Sequence, residues 1–391
     1  MLNLLGDFKF DRMELAGSLA DLGTMLPLLI PLIVINGLNA TITLLMVGLF
    51  YMGAGLYYKI PVPVQPLKAV AVIAITAGLS PQVIAASGLI IGILMFFLGA
   101  TGAIVQIYRV FSKPVIRGVQ VALGLLLFTK AVQYIISSKL FVSGEVTFLI
   151  EMPLNTIFGL AGLLIAAVLL TNKKIPAAVV LVVFGFLIGL AFKSPNFTLG
   201  PQIPSLQIPA IVDFQTALVL LVLPQIPVTL SNAVISTSDL AKEYFKNRAG
   251  KVSHKALSIS IGVADLAAGA LGGMPMCHGA GGLAAHYRFG ARTGGSNLII
   301  GSIFVTLALI FGSSAVSILG LIPLSILGVM LAFTGIQMML LISDINEQKD
   351  LLIVLTIAGL AIVTDMAIAF MTGIILYYIL KWWTHGKKIK S

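Results

Sequence analysis

Charged side chains are scarce in this sequence. Asp, Glu, Lys and Arg together make up 10% of the 391 residues, whereas such residues are about a quarter of a soluble domain. Hydrophobic residues make up 59% of the chain, and the mean hydropathy is +1.08. A bilayer core takes about 20 apolar residues per helical crossing, and uncharged stretches such as 218–235 recur along the chain. The composition excludes a soluble globular protein and predicts a polytopic membrane protein.

Cysteine is nearly absent, with Cys277 the single example. One cysteine excludes a disulfide framework and a cysteine-rich metal site. A metal site at the adjacent His278 needs further ligands at fitting spacing, and only His286 is near. We therefore predict no metal and no cofactor, and we interpret Cys277 as a small apolar filler. Residues 1–12 carry mixed charge without a small-residue cleavage site, so no removable signal peptide is predicted.

Acidic residues are too scattered for a catalytic centre. An intramembrane enzyme needs a convergent set of acids, bases or metal ligands, and Asp21, Asp265 and Asp365 supply no such set. We therefore predict no enzyme and no catalytic residue. Asp265 lies deep in an apolar segment, whereas Asp365 lies at a helix start and is expected to be an N-cap. A channel is the alternative to a transporter, and saturable, gradient-driven flux separates the two.

Glycine and proline, in contrast, are abundant, with 39 and 17 residues. Apolar runs interrupted by these residues predict helices, because a transmembrane barrel shows short alternating segments instead. We predict an all-α polytopic membrane protein with about fourteen transmembrane segments, two of them too short to span. The approximate segments are 14–37, 40–58, 66–78, 82–107, 115–136, 155–171, 175–192, 214–236, 256–273, 279–290, 296–318, 323–342, 350–364 and 366–384.

Positive charge exceeds negative charge, with 24 Lys and Arg against 14 Asp and Glu. In a soluble protein this excess would suggest a nucleic-acid partner, but here the basic residues cluster in alternate loops. Examples are Arg109 to Arg117, Lys173 with Lys174, and Lys242 to Lys255. Positively charged loops stay in the cytoplasm, so the N-terminus (1–13) and the tail (386–391) are both predicted to be cytoplasmic. We predict a multi-pass protein of the cell membrane with lipid contacts and no nucleic acid.

The chain also shows an internal repeat. Its longest polar insert, 239–255, lies between the eighth and ninth segments near the middle of the chain, and two comparable halves, 14–195 and 214–385, have seven segments each. Pro66 and Pro114 are 48 residues apart, and so are Pro275 and Pro323, at an offset of 209. Because seven is odd, the second half enters the membrane from the opposite side. An inverted repeat of this kind is typical of transporters.

Both short segments follow proline-bearing extended runs. Pro61, Pro63 and Pro66 keep residues 60–65 extended, and Pro66 is expected to be the first residue of a half-helix. The amides of Leu67, Lys68 and Ala69 are then predicted to be free of partners and to face the membrane centre. The run 274–282, around Pro275, is the counterpart. Two opposed helix N-termini predict an anion cradle; the alternative is that these prolines only kink packed helices.

Polar residues inside apolar segments are the candidate site residues. Lys68 is costly in a membrane segment, by about 2.5–3.5 kcal/mol. It either neutralises a bound oxyanion, pairs with a carboxylate or snorkels to the cytoplasmic side. Asp21 is interpreted as a proton carrier, a partner of Lys68 or a cap at the membrane surface. Gln65 directly precedes the half-helix and offers neutral donors.

The second half contributes further polar candidates. His278 is interpreted as a hydrogen-bond donor or a proton-titrating group at the site, with structural packing as the alternative. Gln225, Thr229 and Asn232 are spaced by four and three residues, so they share one helix face. That face is expected to line the cavity of the transporter, unless these side chains only form hydrogen bonds between helices.

Three stretches resemble the signatures of a known family. They are Ala-Asp-Leu-Gly-Thr at 20–24, Pro-Val-Pro-Val-Gln-Pro-Leu-Lys at 61–68, and Gly-Met-Pro-Met-Cys-His-Gly-Ala-Gly-Gly-Leu at 273–283. They look like those of the molybdate transporters related to the SulP sulfate permeases. The resemblance implies the inverted 7+7 fold shared with the uracil permease group. It also implies a substrate-carrying core of segments 1–4 and 8–11, a gate of segments 5–7 and 12–14, and elevator-type transport. Only 381–391 follow the last helix, so no STAS regulatory domain is expected.

The same resemblance places the substrate between the third and tenth segments, lined by the first and eighth. The predicted substrate-binding residues are Gln65, Pro66, Leu67, Lys68, Gln225, Asn232, Cys277, His278, Gly279 and Ala280. Asp21 is the candidate for proton coupling. The predicted substrate is molybdate, carried with protons; sulfate, tungstate and a nucleobase are the alternatives. The resemblance further implies a homodimer formed through the gate.

Overall fold

The computed structural model describes residues 8–108, 110–142, 148–149, 152–169, 177–194, 197–203 and 208–388. Helices dominate these ranges, and the strands are short pairs of residues. Arg109, Lys173 and Lys174, which contributed to the predicted orientation, lie outside the described residues, as does the tail beyond 388.

The first half of the chain contains nine helices and three short strands among the described residues. They are α1 (Arg12–Ser18), α2 (Leu22–Val34), α3 (Ala40–Tyr58), β1 (Gln65–Pro66), α4 (Lys68–Ala77), α5 (Pro81–Thr101), α6 (Ile104–Tyr108), α7 (Lys113–Ile135), β2 (Phe148–Leu149), β3 (Met152–Pro153), α8 (Leu154–Leu169) and α9 (Ala177–Phe192).

The second half follows the same plan. Its elements are α10 (Ile211–Thr216), α11 (Leu223–Val228), α12 (Thr237–Phe245), α13 (His254–Leu271), β4 (Met276–Cys277), α14 (Ala280–Arg288), α15 (Gly295–Phe311), α16 (Ala315–Leu319), α17 (Leu324–Met339), α18 (Gln348–Val363) and α19 (Met366–Lys388).

Every predicted segment contains a helix, which confirms the all-α membrane fold. Within the described ranges, six helices are individually long and apolar enough to cross a bilayer, or seven if α1 and α2, bent by 42°, form one span. Shorter apolar helices include α4, α8, α9 and α15. The number of fourteen crossings therefore stays a prediction, whereas the multi-pass character is established.

The packing of the helices follows the inverted repeat. The most extensive helix contacts join α5 to α13 and α3 to α15, and α7 to α17. Exchanging the two halves converts the first pair into the second and leaves the third unchanged. The close approach depends on glycine: a Cβ on Gly48 would lie 2.7 Å from the Gly301 carbonyl oxygen, and a Cβ on Gly92 would lie 3.0 Å from that of Gly262.

The two halves meet at the extended runs. Strands β1 and β4 pair antiparallel, with Gln65 opposite Cys277 and Pro66 opposite Met276. The Leu67 N–H donates to the carbonyl oxygen of Pro275 at 3.1 Å. The repeat-related Pro66 and Pro275 are thus neighbours at the centre of the fold, where each extended run leads into its short helix.

One predicted boundary is wrong. Pro66 does not open the first half-helix, because it pairs with Met276 in β1, and α4 begins at Lys68 with Leu67 as N-cap. The partner strand comes from the other repeat and keeps the chain extended for two more residues. Pro114, in the first turn of α7, and Pro323, at the N-cap of α17, lie where their spacing predicted.

The eighth segment continues through its prolines. Residues Ile211–Ala249 form one apolar helix of 39 residues, with π-helical turns at Ala217–Val222 and Thr229–Ser236. These turns flank Pro224 and Pro227, whose missing N–H groups break the α-helical hydrogen-bond pattern. Wide turns of this kind are frequent at functional sites, and this helix passes beside the crossing of β1 and β4.

Candidate functional site

The crossing of β1 and β4 brings two helix N-termini together. Helix α4 leaves β1 through its N-cap Leu67, and α14 leaves β4 through its N-cap Gly279. Leu67 makes no side-chain cap bond, and Gly279 has no side chain to make one, so any partner for the first amides of each helix has to come from another element.

The N-terminus of α4 is capped by a distant glutamine. Gln225 Oε1 accepts from the N–H groups of Ala69 at 2.7 Å and Val70 at 3.2 Å. Its Nε2 donates to Thr229 Oγ1 at 2.8 Å, which places these two side chains on one face as predicted. Because Leu67 N–H is bonded to Pro275, the expectation of free amides at Leu67 and Ala69 is wrong.

The N-terminus of α14 is open. The carbonyl oxygen of Gly279 accepts from Gly282 and Leu283, whereas the N–H groups of Ala280 and Gly281 have no acceptor in the described part of the chain. Gly281 is exposed, and a Cβ there would meet nothing within 4 Å. These unpartnered amides at the positive end of a helix dipole suit an anion.

A buried carboxylate lies directly behind this helix end. Asp21 occupies the break between α1 and α2 and is 1% exposed. Its Oδ1 accepts from Gln65 Nε2 at 2.6 Å, and its Oδ2 from the Tyr51 hydroxyl at 3.4 Å. The side chain makes no capping bond to the backbone of α2, but the Thr24 side chain of α2 also interacts with it.

Glycines let α14 pack onto this carboxylate. A Cβ on Gly282 would lie 2.7 Å from Asp21 Oδ2 and from Gln65 Nε2. A Cβ on Gly279 would collide with Gln65 Oε1 and would lie 3.6 Å from Asn232 Nδ2. The amides of Gln65 and Asn232 therefore flank the N-cap of α14.

Lys68 supplies a positive charge beside this group. Its side chain is half-buried at the first position of α4. Among the described residues, its ammonium makes no hydrogen bond and no ion pair, so it is not paired with Asp21 in this conformation. A half-buried ammonium of this kind is available to an anionic ligand.

His278 is held by structural partners. Its ring nitrogens lie 2.8 Å from the Pro63 carbonyl oxygen and 2.8 Å from Ser260 Oγ, and its ring packs on Phe50. The His278 carbonyl oxygen accepts from Thr237 Oγ1 at 2.8 Å. The ring thus links the run before β1 to α13, and its predicted role in proton transfer stays a prediction.

The remaining predicted residues have clear positions. Cys277 is buried in β4, with Sγ 3.8 Å from the Pro66 carbonyl oxygen. Asp365 Oδ1 accepts from the amides of Ala367 and Ile368, which confirms it as an N-cap. Asp265 is buried, and its Oδ1 accepts from the Met276 N–H at 2.6 Å. Within the described ranges, no three His, Cys, Asp or Glu residues form a metal-binding group.

Two contributors were missed from the sequence. Tyr51 bonds to Asp21, and Thr237 joins the His278 carbonyl to the eighth segment. The available signal was weak: a tyrosine within an apolar helix requires a partner for its hydroxyl, but the sequence does not show which partner.

Inverted repeats that meet at two half-helices are typical of transporters, and this is the class to which the fold and site belong. A family model described as "Molybdate transporter of MFS superfamily" matches residues 13–127 and 217–338. The chain belongs to this molybdate transporter family, and it is an anion transporter rather than an enzyme.

Relatives match nearly the whole chain. Molybdate transporter 2 of Arabidopsis thaliana is 32% identical over 412 residues, covering 94% of this chain and 87% of that protein. Molybdate transporter 1 of the same plant is 28% identical, covering 97% of this chain and 90% of its own length. Molybdate transporter 1 of Chlamydomonas reinhardtii is also 28% identical, covering 93% of this chain and 90% of its own length.

Solved structures show the same fold at low sequence identity. The transmembrane domain of a cyanobacterial bicarbonate transporter, BicA, has a TM-score of 0.66 at 16% identity, covering 93% of this chain and 96% of that one. The murine anion transporter Slc26a9 in its inward-facing state has a TM-score of 0.72 at 14% identity, covering 98% of this chain and 70% of that one. The predicted SulP-like inverted-repeat fold is confirmed.

Proposed function

We propose that this protein is a proton-coupled secondary transporter of molybdate in the cell membrane. The observation that carries the proposal is the Lys68 ammonium, which interacts electrostatically with Asp21 and Cys277 but has no bonded partner among the described residues, together with the α14 N-terminus, whose Ala280 and Gly281 amides have no acceptor there. This combination suits a compact oxyanion. The named molybdate transporters among the relatives favour molybdate over other oxyanions.

The dianion is proposed to lie between Lys68, the α14 amides and Asn232. Gln225, by capping α4, holds Lys68 in position, while Gln65 and Gly279 form the wall behind the anion. Pro66, Leu67 and Cys277 fix the β1–β4 crossing. His278 braces the same crossing from its far side.

The balance of charges in the site explains why a proton should bind together with the dianion. The site offers one full positive charge, from Lys68, and about half a charge from the α14 dipole, while an ionised Asp21 opposes the dianion. Protonation of Asp21 removes that repulsion, so the dianion and a proton bind together more favourably than the dianion alone. Downhill proton entry can then drive uphill anion entry.

The transport step is proposed to be elevator-type, with segments 1–4 and 8–11 carrying the site along a gate of segments 5–7 and 12–14. In this scheme the gate forms a homodimer and both termini are cytoplasmic. The basic insert supports this orientation: Lys242, Lys246, Arg248, Lys251 and Lys255 are all exposed.

Uptake into proteoliposomes tests the substrate. Labelled molybdate should accumulate under an inward proton gradient, and unlabelled molybdate should compete most strongly, followed by tungstate and sulfate. These dianions share shape and charge, so their order defines the specificity. Competition by uracil without competition by the oxyanions would replace the proposal with a nucleobase permease of the same fold. Non-saturating flux that never runs uphill would indicate a channel.

A further inference from the structure

The side-chain amide of Gln65 is hydrogen-bonded through its nitrogen but not, among the described residues, through its oxygen. It is fully buried, and its Nε2 donates to Asp21 Oδ1 at 2.6 Å. Its Oε1 is also buried and accepts no hydrogen bond from any described residue. A buried acceptor without a donor costs free energy, and such groups in a native structure point to a missing partner or a second state.

Gln65 Oε1, the oxygen without a donor, faces the proposed anion site. It occupies the space where a Cβ on Gly279 would lie, and Asn232 Nδ2 is 3.6 Å from that same point. Gly279 is the N-cap of α14, whose next two amides are open. A carbonyl oxygen in this position presents negative partial charge to the rim of a site that is to hold a dianion.

The protonation of Asp21 decides which way the amide points. An ionised carboxylate can only accept hydrogen bonds, so it fixes Gln65 with Nε2 toward Asp21 and Oε1 toward Gly279. A protonated carboxyl group has one O–H to donate. A half-turn of the Gln65 amide then lets Oε1 accept that O–H and turns Nε2 toward Gly279, with little change in the space occupied.

We propose that the Gln65 amide turns over when Asp21 takes up a proton. The turn replaces the Gln65 Oε1 at the anion site with Nε2, whose N–H can donate to the bound oxyanion. This inference rests on the proposed function and specifies how its proton coupling operates. The proton stays on the Asp21 carboxyl group throughout, and no proton passes to Gln65. When Asp21 releases it, the amide returns and its oxygen again opposes the anion.

Other groups around Asp21 are compatible with both states. Tyr51 of α3 faces Oδ2, and its hydroxyl can donate whether or not Asp21 is ionised. Lys68 of α4 and Cys277 of β4 act on Asp21 only through space. His286 of α14 contacts the edge of Tyr51, and its Nδ1 lies 2.7 Å from the Gly17 carbonyl oxygen of α1. The Thr24 side chain of α2 also interacts with Asp21, and a hydroxyl group can donate or accept without moving. Gln65 is the neighbour whose amide has to turn over before it can accept from protonated Asp21.

Equilibrium binding of labelled molybdate to the purified protein at a series of pH values tests this switch. For the wild type, affinity should fall with rising pH by up to about tenfold per pH unit, the limit for one linked proton. Asp21→Asn places an amide donor beside Gln65 Oε1 and imitates the protonated acid, so its affinity should be independent of pH and close to the wild-type value at acidic pH.

Two substitutions of Gln65 separate the switch from simple charge repulsion. Gln65→Met and Gln65→Leu both lack an N–H to present and add no charge, so affinity at acidic pH should fall by about tenfold or more. Gln65→Leu is shorter than Gln65→Met and covers the case that Gln65→Met does not fold. Gln120→Met changes a buried glutamine of α7 that bonds to Arg117, and it should retain the wild-type pH dependence.

Each outcome has a distinct meaning. Wild-type affinity at acidic pH in both Gln65 variants would overturn the switch while leaving transport intact, and so would unchanged pH dependence in Asp21→Asn. Proton uptake in weakly buffered solution gives a second readout: binding should consume up to one proton per molybdate in the wild type and none in Asp21→Asn. Absence of any oxyanion binding by the wild type would instead overturn the proposed function itself.

Discussion

At Lys68, a positive charge is held half-buried without a partner among the described residues. Lys68→Met keeps most of the length of the side chain but removes its charge. We expect oxyanion affinity to fall by about tenfold or more at every pH tested, because a charge-assisted contact is lost. Lys242→Met removes an exposed charge from α12 and should leave affinity unchanged. Equal affinity in both variants would remove Lys68 from the site.

Asp21 gives the second prediction for a single residue. In Asp21→Asn, oxyanion exchange in counterflow should persist, because the anion contacts at Lys68 and α14 remain. Accumulation driven by a pH gradient should disappear, because no carboxyl group carries the proton. Both assays run on the same proteoliposomes. If uphill uptake by Asp21→Asn matched the wild type, Asp21 would not be on the proton path, and His278 would be the next residue to substitute.

The sequence could identify these residues but not their partners. Asp21, Gln65 and Lys68 could be predicted because each is polar within an apolar segment, where a polar group is expensive. The capping of α4 by Gln225 joins residues 156 positions apart, and no local pattern encodes such a contact. The contacts of the His278 ring could not be predicted either, because its partners, Pro63 and Ser260, lie on other elements.

Helix α14 can pack closely on Asp21 and Gln65 because a glycine, Gly282, occupies the contacting face of the helix. Gly282→Ala would place a methyl group 2.7 Å from Asp21 and Gln65, so α14 must shift. We expect a loss of about 1–3 kcal/mol in stability and a larger loss of oxyanion binding, measured by thermal unfolding and equilibrium binding.

Gly281→Ala is the matched control for stability. It lies one residue away in the same helix, but its added Cβ would meet nothing within 4 Å. Because alanine favours helix by about 0.8–1.0 kcal/mol over glycine in a helix interior, its melting temperature should stay the same or rise. Equal destabilisation by both substitutions would contradict the tight fit of α14 against Asp21.

Element boundaries show where sequence reasoning ends. Apolar runs and prolines predicted the fourteen segments, and Pro114 and Pro323 begin their helices as expected. The start of α4 was missed by two residues, because the pairing of Pro66 with Met276 comes from the other repeat. The prolines of the eighth segment do not end its helix, because π-helical turns keep the helix continuous, and the sequence pattern gives no sign of these turns.

At the scale of the whole molecule, the repeated proline spacing predicted an inverted repeat that few residue identities support. The proposed homodimer is a separate matter, since only the family resemblance implies it. Native mass spectrometry in mild detergent and in lipid nanodiscs should show a dimer if the gate forms the interface. Monomer in both environments would contradict the dimer without affecting the transport proposal.

The elevator proposal requires the core to slide along the gate, and one buried cluster joins the two. Ile30 of α2 packs there with Ala178 of α9, while Ala166 of α8 and Met330 of α17 belong to the same cluster but lie within the gate. Cysteines at positions 30 and 178 can be joined by a reductant-cleavable thiol cross-linker in a Cys277→Ser background, whose uptake before cross-linking is the reference.

Joining positions 30 and 178 should stop molybdate uptake, and reductant should restore it, because the core can no longer move against the gate. Molybdate binding should persist in the joined protein if its site is accessible in the trapped conformation. Joining positions 166 and 330 in the same background should leave uptake intact, since both helices belong to the proposed gate. Full uptake by protein quantitatively joined at 30 and 178 would exclude sliding at this interface and would require a smaller gating movement around a fixed core.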